Sequence, residues 1–501
     1  MRIFLTAIAL VLLTGQLANA QYKSANRKLD AMIREGMAEW KIPGMGVVVV
    51  KDGRTVFSSV YGIRDIDTQV PVESQTLFAM ASTTKAMIAL CVGMLVDEGK
   101  LQWTDRVRQH LPEFRLADAY LTDEARVQDL LTHNLGIPGA DLLWIIDSLS
   151  TAETLRRFEQ VNKTYPVRGG FEYNNIMYAI AGEVITRVSG MHWTRFLQER
   201  LLNPLGMYRT IPQAARVPAE GNYVTPHFDD LEEGLETGPL NFSDQIGAAG
   251  MVWSCIDDMA VYLAFLLNGG AVGGQPLLAP ATFAYLFQPR ALIPEARFYP
   301  TATLTQPHWR SYGLGWFQQD YKGARVDFHT GSLGGLVSIA GLLRDEGLAV
   351  YVFANLDHAE LRHAIMWQVF DLYALGEDRN WHRDVFDLYS GIRAQSVAAL
   401  IQMENERVPG TRPGQPLQAY AGTYAHPVYG QIAVGVQDDS LTLAANGFRT
   451  FTAGHWHYDT FRTVRNADWR TRTLVQFVPN AKGQPEKLIM FEQEFVRVAP
   501  R

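Results

Sequence analysis

Cysteine is almost absent from this chain: Cys91 and Cys255 are the only two in 501 residues. One pair cannot staple a chain of this length, so its stability must come from an apolar core. Both are read as buried thiols acting as small core hydrophobes. Long apolar runs are missing as well. After residue 20 no segment reaches the roughly 18 uninterrupted apolar residues of a membrane-spanning helix. There is no basic cluster, and the formal net charge is −7, which argues against a nucleic-acid partner. No H-E-x-x-H pair, G-x-S-x-G elbow, Walker A loop or dinucleotide fingerprint occurs, so zincin, α/β-hydrolase and nucleotide chemistry are not expected. His455 and His457 alternate on one expected strand face without a third ligand, which reads as a surface pair, and no metal or cofactor is called for.

What is present is an ordinary globular composition, 47% hydrophobic and 19% charged, long enough for two or three domains. The first twenty residues stand apart. Arg2 gives a positive start, residues 3–13 are apolar, and Ala18-Asn19-Ala20 is a small-x-small cleavage site. This reads as a secretory signal peptide cut after Ala20. No cysteine follows the cut, so no lipid anchor is expected, and the mature protein is expected to be periplasmic or secreted.

Coarse periodicity divides the rest. Residues 28–40 have helical spacing. Residues 46–50 and 55–57 read as a hairpin around Asp52-Gly53. Residues 108–200 are mainly helix and loop, with a helix over 176–189, and 259–267 is a further helix closed by Asn268-Gly269-Gly270. Strands return at 312–316, 324–329, 336–343 and 348–354. An antiparallel sheet built from both ends of the first 355 residues, beside a helical insert, is the simplest arrangement. Residues 358–407 read as helices and 407–418 as a Pro/Gly-rich linker. Seven short β-rich runs follow from 420 to 498, the pattern of a small all-β barrel or sandwich.

The chemistry centres on Ser82-Thr83-Thr84-Lys85. Positions i and i+3 share a helix face, so the Lys85 amine can reach the Ser82 hydroxyl. Between Asp67 and Asp97 the only other charge is Glu73, so Lys85 enters an otherwise apolar helix. A buried lysine gives up its proton more readily than an exposed one and can serve as a base. The helix N-terminus favours a developing anion. Downstream lie Tyr173-Asn174-Asn175, after a Gly-Gly turn, and His329-Thr330-Gly331-Ser332, at the end of an expected strand. A phenol beside an ammonium can relay a proton. A glycine lets a substrate backbone lie close to a strand edge, and backbone N–H groups there can hold an oxyanion. Taken singly, a helix cap with a solvated lysine, a surface turn, and a strand-end turn with a satisfied histidine account for the three segments better.

Together, in this order, they resemble the serine β-lactamase and penicillin-binding protein superfamily. The likeness is closest to the branch with class C β-lactamases, D-aminopeptidases and related esterases. It spans about residues 25–356, and Leu130-Leu131-Thr132-His133 and Gly250-Met251-Val252-Trp253-Ser254 sit where relatives carry similar stretches. The β-rich tail resembles the lipocalin-like domain of some of these hydrolases. The resemblance implies an α+β fold, an antiparallel sheet with helices plus a mainly helical subdomain, followed by an all-β barrel. The implied division is signal peptide 1–20, hydrolase domain 21–357, helical connector and linker 358–418, and barrel 419–501. It implies Ser82 as nucleophile, Lys85 as its base and Tyr173 as proton relay. Asn175 would orient substrate and Lys85, His329, Thr330 and Gly331 would line the cleft, and the N–H groups of Ser82 and Ser332 would form the oxyanion hole. One departure matters: β-lactamases and penicillin-binding proteins usually carry lysine where His329 stands. A neutral histidine is a poorer anchor for a substrate carboxylate. The expected activity is therefore an acyl-enzyme hydrolase of small amides, short peptides or esters, with penicillin recognition or weak β-lactam hydrolysis as the alternative.

Overall fold

A computed structural model describes residues 22–230, 234–240, 242, 244–377, 379–465 and 470–498. The expected signal peptide lies outside them. Among the described residues no helix is long and apolar enough to cross a membrane.

The N-terminal domain is organised on one eight-stranded antiparallel sheet. Its strands are β1 (Gly44–Lys51), β2 (Arg54–Gly62), β3 (Ala291–Leu292), β4 (Arg310–Tyr312), β5 (Phe317–Tyr321), β6 (Ala324–Leu333), β7 (Leu336–Leu343) and β8 (Leu348–Ala354), in spatial order β2-β1-β8-β7-β6-β5-β4-β3. The two ends of the domain thus meet at β1 and β8, as the sequence implied. Strand β1 explains why its valines show no polar alternation. Val48 and Val50 face one apolar core while Val47 and Val49 face another, and all four are fully buried. A strand covered on both faces needs an unbroken apolar run.

The first core holds α2 (Thr84–Asp97), α4 (Asn175–Ser189) and α5 (Ile256–Leu267); between them in sequence lies the single turn α3 (Leu142–Ile145). The second core holds the N-terminal helix α1 (22–40) and α6 (Leu361–Phe370). The sequence put residue 361 onward in the connector, yet every residue of α6 is buried and its apolar side chains pack on the sheet. From about residue 390 the helix α7 (Trp381–Asn405) is largely exposed and leads to the barrel.

Two expected elements differ. Residues 313–316 are loop rather than strand, because Tyr312 ends β4 and Phe317 begins β5. Strand β6 does not stop at His329 but runs to Leu333, pairing Gly331 with Ser338 and Ser332 with Val337. His329 to Ser332 are therefore strand residues, and the turn comes at Gly334-Gly335.

The C-terminal unit is a closed eight-stranded barrel: β9 (Gly422–His426), β10 (Gly430–Gln437), β11 (Ser440–Ala445), β12 (Arg449–His457), β13 (Thr460–Thr463), β14 (Leu474–Pro479), β15 (Pro485–Met490) and β16 (Gln493–Arg497). The last expected run divides into two strands, since Phe491 and Glu492 take left-handed φ values of 57° and 60° and fold it into a hairpin. Tyr420, Tyr424, Phe451, Phe461, Phe477 and Phe495 are buried in its interior, so side chains fill it. Among the barrel's aromatic side chains Phe461 is core and Tyr458 is exposed, while Trp469 lies outside the described residues.

Candidate active site

Ser82 sits in a single 3₁₀ turn (Ala81–Thr83) that runs directly into α2. Ala81 before it has φ 47°, a conformation that L-residues adopt at a cost. The surroundings hold it there. Met80 N–H donates to Val252 O at 2.9 Å. Thr83 Oγ1 and Ser338 Oγ both donate to Met80 O, at 2.8 and 2.6 Å. Gly250 and Gly331 close on the same turn. A Cβ on Gly331 would meet Ala81 Cβ at 2.9 Å, and Met80 O and Ser338 Oγ closer still. The Thr-Gly step of the motif is thus needed for backbone approach between β6 and the nucleophile turn.

One turn after Ser82, at the second residue of α2, Lys85 is fully buried. Its Nζ lies 3.0 Å from Ser82 Oγ, 2.8 Å from Asn175 Oδ1 and 2.8 Å from Ala249 O. Three acceptors match the three donors of an ammonium group. Burial nevertheless wins: desolvation lowers the lysine to about 7, against the opposing charge of Asp141. Near neutral pH the amine is therefore free for part of the time, with its lone pair available to the Ser82 hydroxyl.

Asn175 is the first residue of α4 rather than a loop residue, and Asn174 caps the helix by accepting from Met177 N–H. Asn174 Nδ2 also donates to Ile137 O and Pro138 O, at 3.0 and 3.1 Å. That fixes the helix entry, so Asn175 can bridge two groups: Oδ1 accepts from Lys85 and Nδ2 donates to Asp141 Oδ1 at 3.1 Å. Tyr173 is half-buried. Lys85 Nζ lies 5.0 Å from its ring centroid, and the rings of His133 (4.2 Å) and Phe317 (6.2 Å) pack on it. Burial raises its phenol well above the usual value, and hydrogen bonding to Ser82 pulls the other way. It remains a protonated phenol, suited to pass a proton rather than to act as a phenolate base.

His329 does not line the cleft as the sequence suggested. It is fully buried, and both ring nitrogens are engaged. Nδ1 donates to Thr330 O at 2.6 Å, and Nε2 accepts from Tyr312 hydroxyl at 2.9 Å. Burial and the charge of Lys85 lower it to about 3, so it is neutral. Thr330 Oγ1 pairs with Tyr299 hydroxyl at 2.6 Å. Ser332 is exposed, and its Oγ accepts from Arg362 Nη1 at 3.0 Å, which also donates to Gly331 O at 2.5 Å and Ser338 O at 3.2 Å. Arg362 is buried and paired with buried Glu360.

The structure thus gathers Ser82, Lys85, Tyr173, Asn175 and Gly331 around one turn and sets His329 behind it. Sequence reasoning missed Asp141, Tyr312, Tyr299, Arg362 and the Ala249 carbonyl. None has a fixed spacing to Ser82, and Ala249 contributes only backbone. Among the described residues no group of three or more histidine, cysteine or acidic side chains is placed to hold a metal. Cys91 and Cys255 are separate buried thiols, each pushed up to about 12 by burial.

A sheet flanked by helices, with serine and lysine one turn apart under a Tyr-x-Asn helix entry and a Thr-Gly strand, defines the β-lactamase and penicillin-binding class. The comparisons agree. The Beta-lactamase family model matches residues 29–375, and the chain belongs to that family. A domain of unknown function, DUF3471, matches residues 406–499. Unguisins hydrolase ungD' of Aspergillus campestris is 26% identical over 433 residues, covering 83% of this chain and 78% of that protein. Protein flp of Staphylococcus aureus is 23% identical over 342 residues, covering 66% of this chain and 64% of its own. The octameric penicillin-binding protein homologue from Pyrococcus abyssi shares the fold, with TM-score 0.62 and 21% identity over 94% of this chain and 99% of its own.

Proposed function

We propose that this protein is an exported serine hydrolase that forms an acyl-enzyme on Ser82 from amide or ester bonds of small peptides or esters, in the manner of D-aminopeptidases and related esterases. The observation that carries the reading is the 3.0 Å contact between Ser82 Oγ and a lysine lowered to about 7. The Lys85 amine takes the Ser82 proton as Oγ bonds to the substrate carbonyl carbon. Ser82 N–H, at the head of α2, and Ser332 N–H are assigned to the oxyanion. When the C–N or C–O bond breaks, the proton on Lys85 passes through the Tyr173 phenol to the departing amine or alcohol. Water then attacks the ester, and the same groups run in reverse.

Site charge supports the choice of substrate. His329 is neutral, and Arg362 is spent on Gly331, Ser332 and Glu360. No free cation in this set offers a substrate carboxylate an anchor of the kind that β-lactam recognition uses. The name of the ungD' relative, a hydrolase, agrees with turnover.

The test is a panel of chromogenic D- and L-aminoacyl anilides, short-chain esters and a cephalosporin, run on wild type and Ser82→Ala. Sustained turnover of anilides or esters that vanishes in Ser82→Ala, together with loss of labelling by a serine-reactive acylating probe, is the expected result. Full activity in Ser82→Ala would overturn the assignment. A burst without a steady state would show a protein that acylates and stays acylated.

A further inference from the structure

The hydrolase domain and the barrel exchange core residues, and they do so beside the active site. Ile146, which follows α3, is fully buried in the barrel's apolar core, with Leu142 and Ile145 packed against it. In return Val428, in the turn between β9 and β10, is 6% exposed and belongs to the hydrolase core that contains α2. Tyr429 packs against both cores. Arg449 Nε of β12 donates to Ile145 O at 2.6 Å. Gly430 leaves room for Arg157: a Cβ there would meet Arg157 Nη1 at 2.5 Å.

The segment seized in this way starts at Asp141. Its Oδ1 accepts from Asn175 Nδ2 and, at 3.0 Å, from Trp144 Nε1. The barrel thus holds one end of α3, and the other end reaches Lys85 through a single asparagine. The turn that presents Tyr429 is itself fixed. His426 Nδ1 accepts from Val428 N–H (3.1 Å) and Tyr429 N–H (3.2 Å), and the His426 ring stacks on Tyr429 with centroids 4.8 Å apart. Asn446 Nδ2 donates to Tyr429 O at 3.0 Å. Tyr429 stays half-buried, and its phenol is raised by burial and by the nearby Asp141 charge.

We propose that the barrel is a wall of the catalytic cleft and that Tyr429 is a specificity-determining residue, whose ring limits the size of the substrate group lodged on the Asp141 side. The proposal rests on the acyl-enzyme reading above and names what that site selects: small acyl or leaving groups over extended ones. A rigid aromatic ring on a pinned turn can exclude bulk, since one methylene too many in such a wall costs about tenfold or more.

The test uses full-length protein and a graded series of p-nitrophenyl esters, acetyl to decanoyl, with matched fluorophosphonates of increasing chain length as labels of Ser82. Tyr429→Ala should raise the long-to-short ratio of kcat/KM, and of labelling rates, by about tenfold or more. Tyr429→Phe should keep the wild-type ratio, and Tyr429→Trp should lower it. A Tm for each variant separates loss of fold from loss of selection, because unfolding lowers all rates without changing their ratio. Ratios within about twofold of wild type in both Ala and Trp variants overturn the wall, while turnover leaves the hydrolase reading intact. Absence of both turnover and Ser82 labelling overturns both.

Discussion

Asp141 should set the pH at which the Ser82–Lys85 pair becomes active. The perturbation is Asp141→Asn, which keeps an oxygen for Asn175 Nδ2 and Trp144 Nε1 and removes the charge. The two hydrogen bonds through the Asn175 amide, 2.8 and 3.1 Å, put Asp141 Oδ1 no more than about 8 Å from Lys85 Nζ. At that separation and an effective dielectric near 20, one carboxylate stabilises the ammonium by about 2 kcal/mol, or between one and two pH units. Asp141 holds the lysine up and burial holds it down, with the balance at about 7. A base must be unprotonated, so acylation in wild type should rise through about pH 7 and level off above it. Without the carboxylate the rise should move to lower pH by about one unit. The assay is the pre-steady-state acylation rate from pH 4.5 to 9.5, by ester burst or fluorophosphonate labelling. A rise that stays in place, or moves to higher pH, would refute the reasoning, because losing a negative neighbour can only lower a lysine's affinity for its proton.

Two further outcomes follow from the same geometry. The folded-state value of Lys85 lies below its unfolded value of 10.5, so the unfolded chain binds the extra proton between about pH 7 and 10.5 and stability rises with pH across that window. Below pH 7 the penalty is complete, about 5 kcal/mol by linkage. Lys85→Met should therefore show a larger gain in Tm over wild type at pH 6 than at pH 10, read by calorimetry, and an equal gain at both would count against the burial argument. Gly331→Ala should cut turnover by about 100-fold or more while secondary structure by circular dichroism persists, since its Cβ must push Met80 O and the nucleophile turn away from β6. Wild-type activity would mean that the close approach is not needed.

Much of the site was readable from local pattern. Ser82 and Lys85 are three residues apart across a 3₁₀ turn that runs into α2, so their contact follows from helical geometry alone. The capping of α4 by Asn174, the left-handed Asp52-Gly53 turn with φ 50° and 72°, and the strands at 336–343 and 348–354 follow from local residue types in the same way. What was misread involves partners distant in sequence. His329 looks like a cleft residue, and beyond the adjacent Thr330 carbonyl nothing local says that Tyr312 takes its other nitrogen and that the fold buries it. Helix α6 looks like a connector until the sheet is there to bury it.

By itself, then, the sequence determined which groups can do chemistry and in what local geometry: a serine, a lysine one turn on, a tyrosine and an asparagine at a helix entry, a strand with the glycine that close approach demands. Tertiary structure decided how those groups behave. The drop of Lys85 to about 7 depends on α4, the Ala249 backbone and the sheet shutting out water, and none of these is near it in the chain. Asp141 opens a segment whose Ile146 is buried in the core of a barrel more than 250 residues away. Proton affinity and cleft shape are set by burial and by through-space charge, and both are properties of what the fold brings together rather than of neighbours along the chain.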